Sequence, residues 1–225
     1  MRFLKIKSVP TLFWSAPKPL TVKPPLISLV MLVIGLILFG LGEALLIASG
    51  AGVSPWTVFA QGFSKVTNWS IGLSTFTISF FVLIFWVPLR QTPGVGTVLN
   101  IIIISLVLDL SAPYLPVFET SAMRLAEAAL GVMITGFGGG IYLIANLGPG
   151  PRDGLMTGLQ RQTGRPLANV RSIIEISVVM LGWSLGGVVG LGTLMFAFGI
   201  GPCVATSMLF LQFCFADHSA DKHTE

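Results

Sequence analysis

The chain has 225 residues, of which 53% are hydrophobic and only 10% charged. With a mean hydropathy of +0.87, this excludes a soluble globule, which must present far more charge to water. The net charge of +4 comes from basic residues gathered at one end and in a few loops, which argues against a nucleic-acid surface and for a lipid bilayer as the surroundings.

Residues 1–25 carry Arg2, Lys5, Lys7, Lys18 and Lys23, no acid, and prolines at 10, 17, 19, 24 and 25. No uninterrupted apolar run or cleavage site follows the early lysines, so the segment is read as a basic cytoplasmic arm, disordered or lying on the surface, and not as a cleaved leader. A bilayer core about 30 Å thick needs roughly 20 apolar residues of helix. Such runs fall at about 26–49, 71–89, 95–110, 122–146, 168–185 and 191–215, with shorter, more polar pieces at 55–67 and 151–163. The expected organisation is a single membrane domain over 26–215 followed by a polar cytoplasmic tail, 216–225, that holds His218, Lys222 and His223. Cys203 and Cys214 lie in an apolar segment without CxxC spacing and read as small packing residues.

A shift of 96 residues superposes the chain on itself. Gly35 falls on Gly131, Gly40 on Gly136, Gly42 on Gly138, Gly52 on Gly148 and Pro55 on Pro151. Farther on, Gly62 falls on Gly158, Thr67 on Thr163, Gly94 on Gly190, Gly96 on Gly192 and Thr97 on Thr193. Glycine and proline fix backbone geometry more than apolar bulk, so the coincidence is not one of composition. The chain reads as two repeats, about 26–111 and 122–215, of three spans each. Three is odd, so the second repeat enters the membrane with opposite orientation. Charge agrees: with the amino terminus inside, eleven of the 13 Lys and Arg residues are cytoplasmic, and only Lys65 and Arg124 are outside, where Glu119 and Glu127 also fall. Both termini are then cytoplasmic. Inverted repeats of this kind recur in secondary transporters.

The two short pieces read as helices. Ser54 is a good N-cap with Pro55 at the first helical position; Gly150 and Pro151 take the same places in the second copy, and Asp153 sits where a carboxylate favours the positive helix end. Asn68 and Gly164 follow the two helices and tolerate the left-handed conformation. Two placements stand open: each helix lies at the membrane interface with Leu155, Met156 and Leu159 against lipid, or it re-enters the protein and turns its unpaired N–H groups to a cavity. Glycines at four-residue spacing (Gly136–Gly140, Gly182–Gly186, Gly186–Gly190) suit close helix packing within the bundle, and their faces are also candidates for contact with a second copy.

Ionisable groups within spans are costly and mark candidate sites. Glu43 lies in the first span beside Gly40 and Gly42; its counterpart is Gly139. Arg171 and Glu175 share a helix face at i,i+4, and Arg152 adjoins Asp153 at the second break. The counterparts of Arg152, Asp153, Arg171 and Glu175 are Trp56, Thr57, Thr75 and Ser79, none of them charged. The second repeat therefore gathers a polar half-site near the inner mouth, or a charge cluster that fixes topology.

At these residues the sequence resembles a family of bacterial integral membrane proteins, the YczE/YitT-like group. The matching stretches are Gly52-Val53-Ser54-Pro55-Trp56, Ile71-Gly72, Pro88-Leu89-Arg90-Gln91, Pro93 through Thr97, Gly148 through Leu159, Thr163-Gly164 and Gly190-Leu191-Gly192-Thr193. The resemblance covers about residues 26–213. It implies a bacterial cytoplasmic membrane and a multi-span helical fold, and no particular activity. Relatives often carry an acid soon after the Ser-Pro-Trp block, where this chain has Thr57, so a scheme of paired acids in both repeats does not carry over.

The expectation is thus an all-α polytopic bundle of about six spans in two inverted three-span repeats, each with a short helix after its first span. Its expected function is that of a small-solute transporter or exporter. The path would be lined by Glu43, Ser54, Pro55, Arg152, Asp153, Arg171 and Glu175, with Glu43 as a proton- or cation-coupled group. The alternative is a non-transporting membrane factor that assists or regulates other proteins. No enzyme, cofactor, metal or nucleic-acid partner is expected. The spans hold no histidine or closely spaced cysteine pair, the chain has no Gly-x-Ser-x-Gly, and the 148–158 run lacks the Lys-Ser/Thr ending of a phosphate loop.

Overall fold

The computed structural model describes residues 9–21 and 23–215, and among these it is helical with no strand. The helices are α1 (Leu26–Ser49), α2 (Pro55–Thr67), α3 (Ile71–Trp86) and α4 (Val95–Ser111), then a single 3₁₀ turn (Ala112–Tyr114), and α5 (Ser121–Ala145), α6 (Pro151–Thr163), α7 (Leu167–Ser184) and α8 (Leu191–Phe215). Five helices are long and apolar enough to cross a membrane. At 16 residues, α3 reaches only about 24 Å, short of a bilayer core. Counted together with α2, from which it turns by 112°, it brings the candidate spans to six. Large apolar side chains such as Phe198, Phe213 and Trp183 stay exposed around the outside, as a lipid-facing surface requires. The chain is a polytopic membrane helical bundle.

The 96-residue shift is written into the backbone as well as the sequence. Both short helices start on a proline and end on a threonine, Pro55–Thr67 and Pro151–Thr163. The residues with positive φ among those described form pairs at this spacing: Gly50 with Asn146, Gly52 with Gly148, Asn68 with Gly164, and Arg90 with Gly186. Gly52 (φ 115°) and Gly148 (φ 109°) occupy a region that side-chain-bearing residues rarely enter. A Cβ on Gly52 would also run into the Gly190 backbone.

Each break is clasped by the other half of the chain. Gly192 N at the start of α8 donates to Ala51 O (2.8 Å), and Gly96 N at the start of α4 donates to Leu147 O (2.7 Å). Inside the bundle, α1 and α5 run antiparallel and touch through glycine: Gly35 lies on Gly138, and Gly42 on Gly131 and Thr135. Helix α4 covers α1 at Gly40, and α8 covers α5 at Gly136 and Gly140. The short helices cross over: α2 lies on α7, with Gly62 against Gly182, and α6 lies on α3, with Gly154 against the Trp86 ring. The faces of Gly136, Gly140 and Gly182 are therefore filled from within the chain and not left for a second copy. Gly186 and Gly190 stand in the α7–α8 connection, so the series from Gly182 to Gly190 is not one helix face.

The amino-terminal arm packs into the bundle at 12–16, contrary to the surface-lying course expected of it. Leu12, Trp14 and Ala16 are buried, the first two in a cluster with Ile141, Ile144, Met208 and Leu211. Apolar anchors at every second residue bring this stretch onto the bundle in place of a surface-lying course. It also answers the open carbonyls at the end of α5, which no further helical turn can satisfy. Ala16 N donates to Ala145 O (3.0 Å), Ser15 Oγ to Ile144 O (2.6 Å), and Asn146 Nδ2 returns a bond to Ala16 O (2.8 Å). At the equivalent end of α1, Arg124 does this work, with Nε to Ser49 O and Nη2 to Gly50 O, both 2.6 Å. Arg2, Lys5, Lys7, and the tail with His218, Lys222 and His223 lie outside the described residues.

Candidate functional site: a cavity between two helix starts

Helix α1 ends at Ser49, yet the chain after it turns back into the bundle. Ser54 Oγ lies 2.8 Å from Glu43 Oε2, and Thr57 Oγ1 donates to the same oxygen at 2.6 Å. Glu43 is thus the post to which the start of α2 is tied; it is 1% exposed, and its other oxygen has no partner among the described residues. In the second half the same task falls to different chemistry. Tyr142 on α5 donates its hydroxyl to Asp153 Oδ2 (2.7 Å), and Trp86 Nε1 donates to Pro151 O (3.0 Å).

The two tied helix starts face each other across a cavity of about 370 Å³, bordered by Ser54, Pro55 and Trp56 on one side and Gly150 through Asp153 on the other. Neither helix start has a side-chain cap, since Ser54 Oγ is turned to Glu43 and Gly150 has none to offer. First-turn N–H groups have no partner inside their own helix, and two positive helix ends meet here. The Arg152 guanidinium lies over the Trp56 ring, 5.4 Å from its centre. Among the described residues no carboxylate forms an ion pair with that guanidinium. Arg171 and Glu175 border the cavity from α7, paired with each other at 2.8 Å. The remaining wall is largely apolar, with Phe39, Ile104, Phe196 and Ile200. Asp153 and Arg171, beside the second break, are exposed, whereas Glu43, Ser54 and Thr57, beside the first, are almost fully buried.

Of the residues singled out from sequence, Ser54, Pro55, Arg152, Asp153, Arg171 and Glu175 border this one cavity, and Glu43 joins it through Ser54. Sequence reasoning passed over Tyr142 and Asn100, which also border it. Their signals were available: Tyr142 is one of two tyrosines in the chain, and Asn100 is an amide inside an apolar run. Glu127, expected at the outer side of the span at 122–146, lies in α5, 5% exposed, with neither carboxyl oxygen partnered among the described residues. Among the described residues no three His, Cys, Asp or Glu side chains gather as a metal set.

The cavity residues fall between positions 39 and 208. A family model described as a family of unknown function (DUF6198) matches residues 26–208, which takes in all of them. The chain belongs to this family. A Haemophilus influenzae relative, recorded as an uncharacterized protein, is 41% identical over 200 residues, covering 89% of this chain and 91% of its own. The uncharacterized membrane protein YczE of Bacillus subtilis is 33% identical over 180 residues, covering 77% and 82%. The uncharacterized protein YyaS of the same species is 27% identical over 169 residues, covering 72% and 83%. No solved structure matches the chain. The DUF6198 match begins at α1 and so leaves out the docked segment at 9–21.

Proposed function

We propose that this DUF6198 protein is a small-solute transporter or exporter of the bacterial cytoplasmic membrane, with both termini cytoplasmic and its two halves inserted in opposite orientation. The observation behind it is the meeting of the α2 and α6 starts across one cavity, with Arg152 over Trp56. Broken helices whose starts converge inside a bundle are the usual way a transporter holds a charged solute away from lipid. A cavity with Asp153 and Arg171 exposed beside the second break, and Glu43, Ser54 and Thr57 buried beside the first, fits one end state of alternating access. Solute passage then requires the first break to loosen while the second closes. The proposal gives the protein no bond-making step and no cofactor.

The test is thiol labelling of single-cysteine variants in which Cys203 and Cys214 are replaced. Cysteines at Trp56 and Gly150 should react with a membrane-impermeant thiol reagent from the cytoplasmic face, and a cysteine at the buried Ser54 should label in a minor, exchangeable fraction from either face. Labelling of Gly150 alone, with Ser54 and Trp56 inert from both faces, would sink the transport reading.

A further inference from the structure

We infer that the cavity takes a zwitterionic solute of the amino-acid class, carrying a carboxylate and an ammonium group on an apolar body; this rests on the transport reading. The inference comes from valences left open on the cavity wall. The Arg152 guanidinium has five donors, stacks on Trp56, and has neither a hydrogen-bond acceptor nor an ion-pair partner among the described residues. Asp153, its neighbour in sequence, uses Oδ2 for the Tyr142 hydroxyl, and its Oδ1 has no partner among the described residues. Arg152 and Asp153 thus border one cavity with opposite charges and form no ion pair with each other. The other charged pair, Arg171 with Glu175, is closed on itself. Trp56, only 7% exposed, leaves its indole Nε1 without an acceptor beside the same cavity.

A ligand that satisfies these groups needs an anionic end and a cationic end. The anionic end belongs between Arg152 and the two uncapped helix starts, where guanidinium, N–H groups and helix fields all favour negative charge. The ammonium belongs at Asp153 Oδ1, on the exposed side of the cavity. Phe39, Ile104, Phe196 and Ile200 then face the remainder of the solute, which must be apolar. A volume of about 370 Å³ suits a small molecule of this kind. A simple organic anion would set its carboxylate near the Asp153 carboxylate with no cation between them, and a simple amine would leave the half-buried Arg152 guanidinium open.

The experiment is a binding titration on the purified full-length protein in detergent, read by thermal shift and calorimetry. L-leucine and L-phenylalanine are compared with 4-methylpentanoate and 3-phenylpropionate, which lack the amine, and with isopentylamine and phenethylamine, which lack the carboxylate. The amino acids should bind, and each single-headed analogue should bind at least about tenfold more weakly, because a site built for a polar group rejects the analogue without it. Asp153→Asn, which keeps an acceptor for Tyr142, should weaken the amino acids and remove their advantage over the acids. Equal binding of acid and amino acid to the native protein would overturn the inference in favour of a plain anion, whatever the variant does. So would no binding at all by a protein whose Ser54 and Trp56 positions label, and transport would then stand with another solute class. Failure of that labelling would take both readings down.

Discussion

Arg152 and Trp56 are equivalent positions of the two halves, 96 residues apart, and they touch each other, guanidinium over ring at 5.4 Å. Two arginines at this meeting point would set like charges together, and the stacked cation exists only because the halves differ here. Trp56→Arg should lower the melting temperature by setting like charges together. Adding Arg152→Trp should recover part of the loss, with a coupling of about 1 kcal/mol expected for a stacked cation. Thermal unfolding of the two single variants and the double variant measures it.

Glu43 holds the start of α2 through Ser54 and Thr57. Glu43→Gln keeps an acceptor oxygen for both hydroxyls and should change stability by less than about 1 kcal/mol. Glu43→Ala removes the acceptor, leaves the buried Ser54 and Thr57 hydroxyls only each other (2.9 Å) and opens a hole, at a cost of about 2–4 kcal/mol. Melting temperatures that rank the two variants the other way would show that Glu43 does not position this helix.

Gly182 has the Val58–Phe59 backbone of α2 against it, and nothing flexible there can move aside. Gly182→Ala should therefore push the short helix away and sharply reduce the yield of monodisperse protein in size-exclusion chromatography. Gly201, next to open space, is the control. Gly201→Ala should stay within about 1 kcal/mol of the parent, since the helix gain from alanine opposes crowding ahead of Pro202.

At the end of α1 and just past it, Ser49 O and Gly50 O both take their donor from one side chain, Arg124. Arg124→Ala should cost about 1–3 kcal/mol by leaving Ser49 and Gly50 oxygens without their donor, with Arg124→Lys between it and the parent. Ser15→Ala at the equivalent end of α5 should cost less, because Ala16 N still bonds Ala145 O. Parallel thermal melts of the three variants compare the two ends directly.

Trp14 is 1% exposed and Phe13, its neighbour, 53%. Trp14→Ala should lower stability by about 3–5 kcal/mol, the usual cost of emptying a large aromatic site, while Phe13→Ala should cost under about 1 kcal/mol. Equal melting temperatures for the two would mean that the amino-terminal segment does not anchor to the bundle in solution.

Much of the bundle was legible in the chain because membrane helices obey local rules. Apolar runs of span length set α1, α4, α5, α7 and α8; the Pro55 and Pro151 starts, with Asn68 and Gly164 behind them, set the short helices; and the coincidence of glycines at 96 residues announced two like halves. Those are properties of composition, length and backbone preference, which need no partner to act. The candidate residues were legible for the same reason, since a charge in an apolar run stands out wherever it ends up.

What only the tertiary structure decided is which of these groups meet. That α2 and α6 turn inward depends on Glu43 and Tyr142 reaching across from other helices, and on Gly182 and Gly154 leaving room for them to lie on α7 and α3. The hydropathy of 9–25 does not tell that Trp14 finds a pocket between α5 and α8, and the position of Glu127 does not tell that it is buried. Local preference fixes the elements, because each helix satisfies its own backbone. Side-chain contacts between residues far apart in sequence fix the cavity, because such contacts exist only once the helices are side by side.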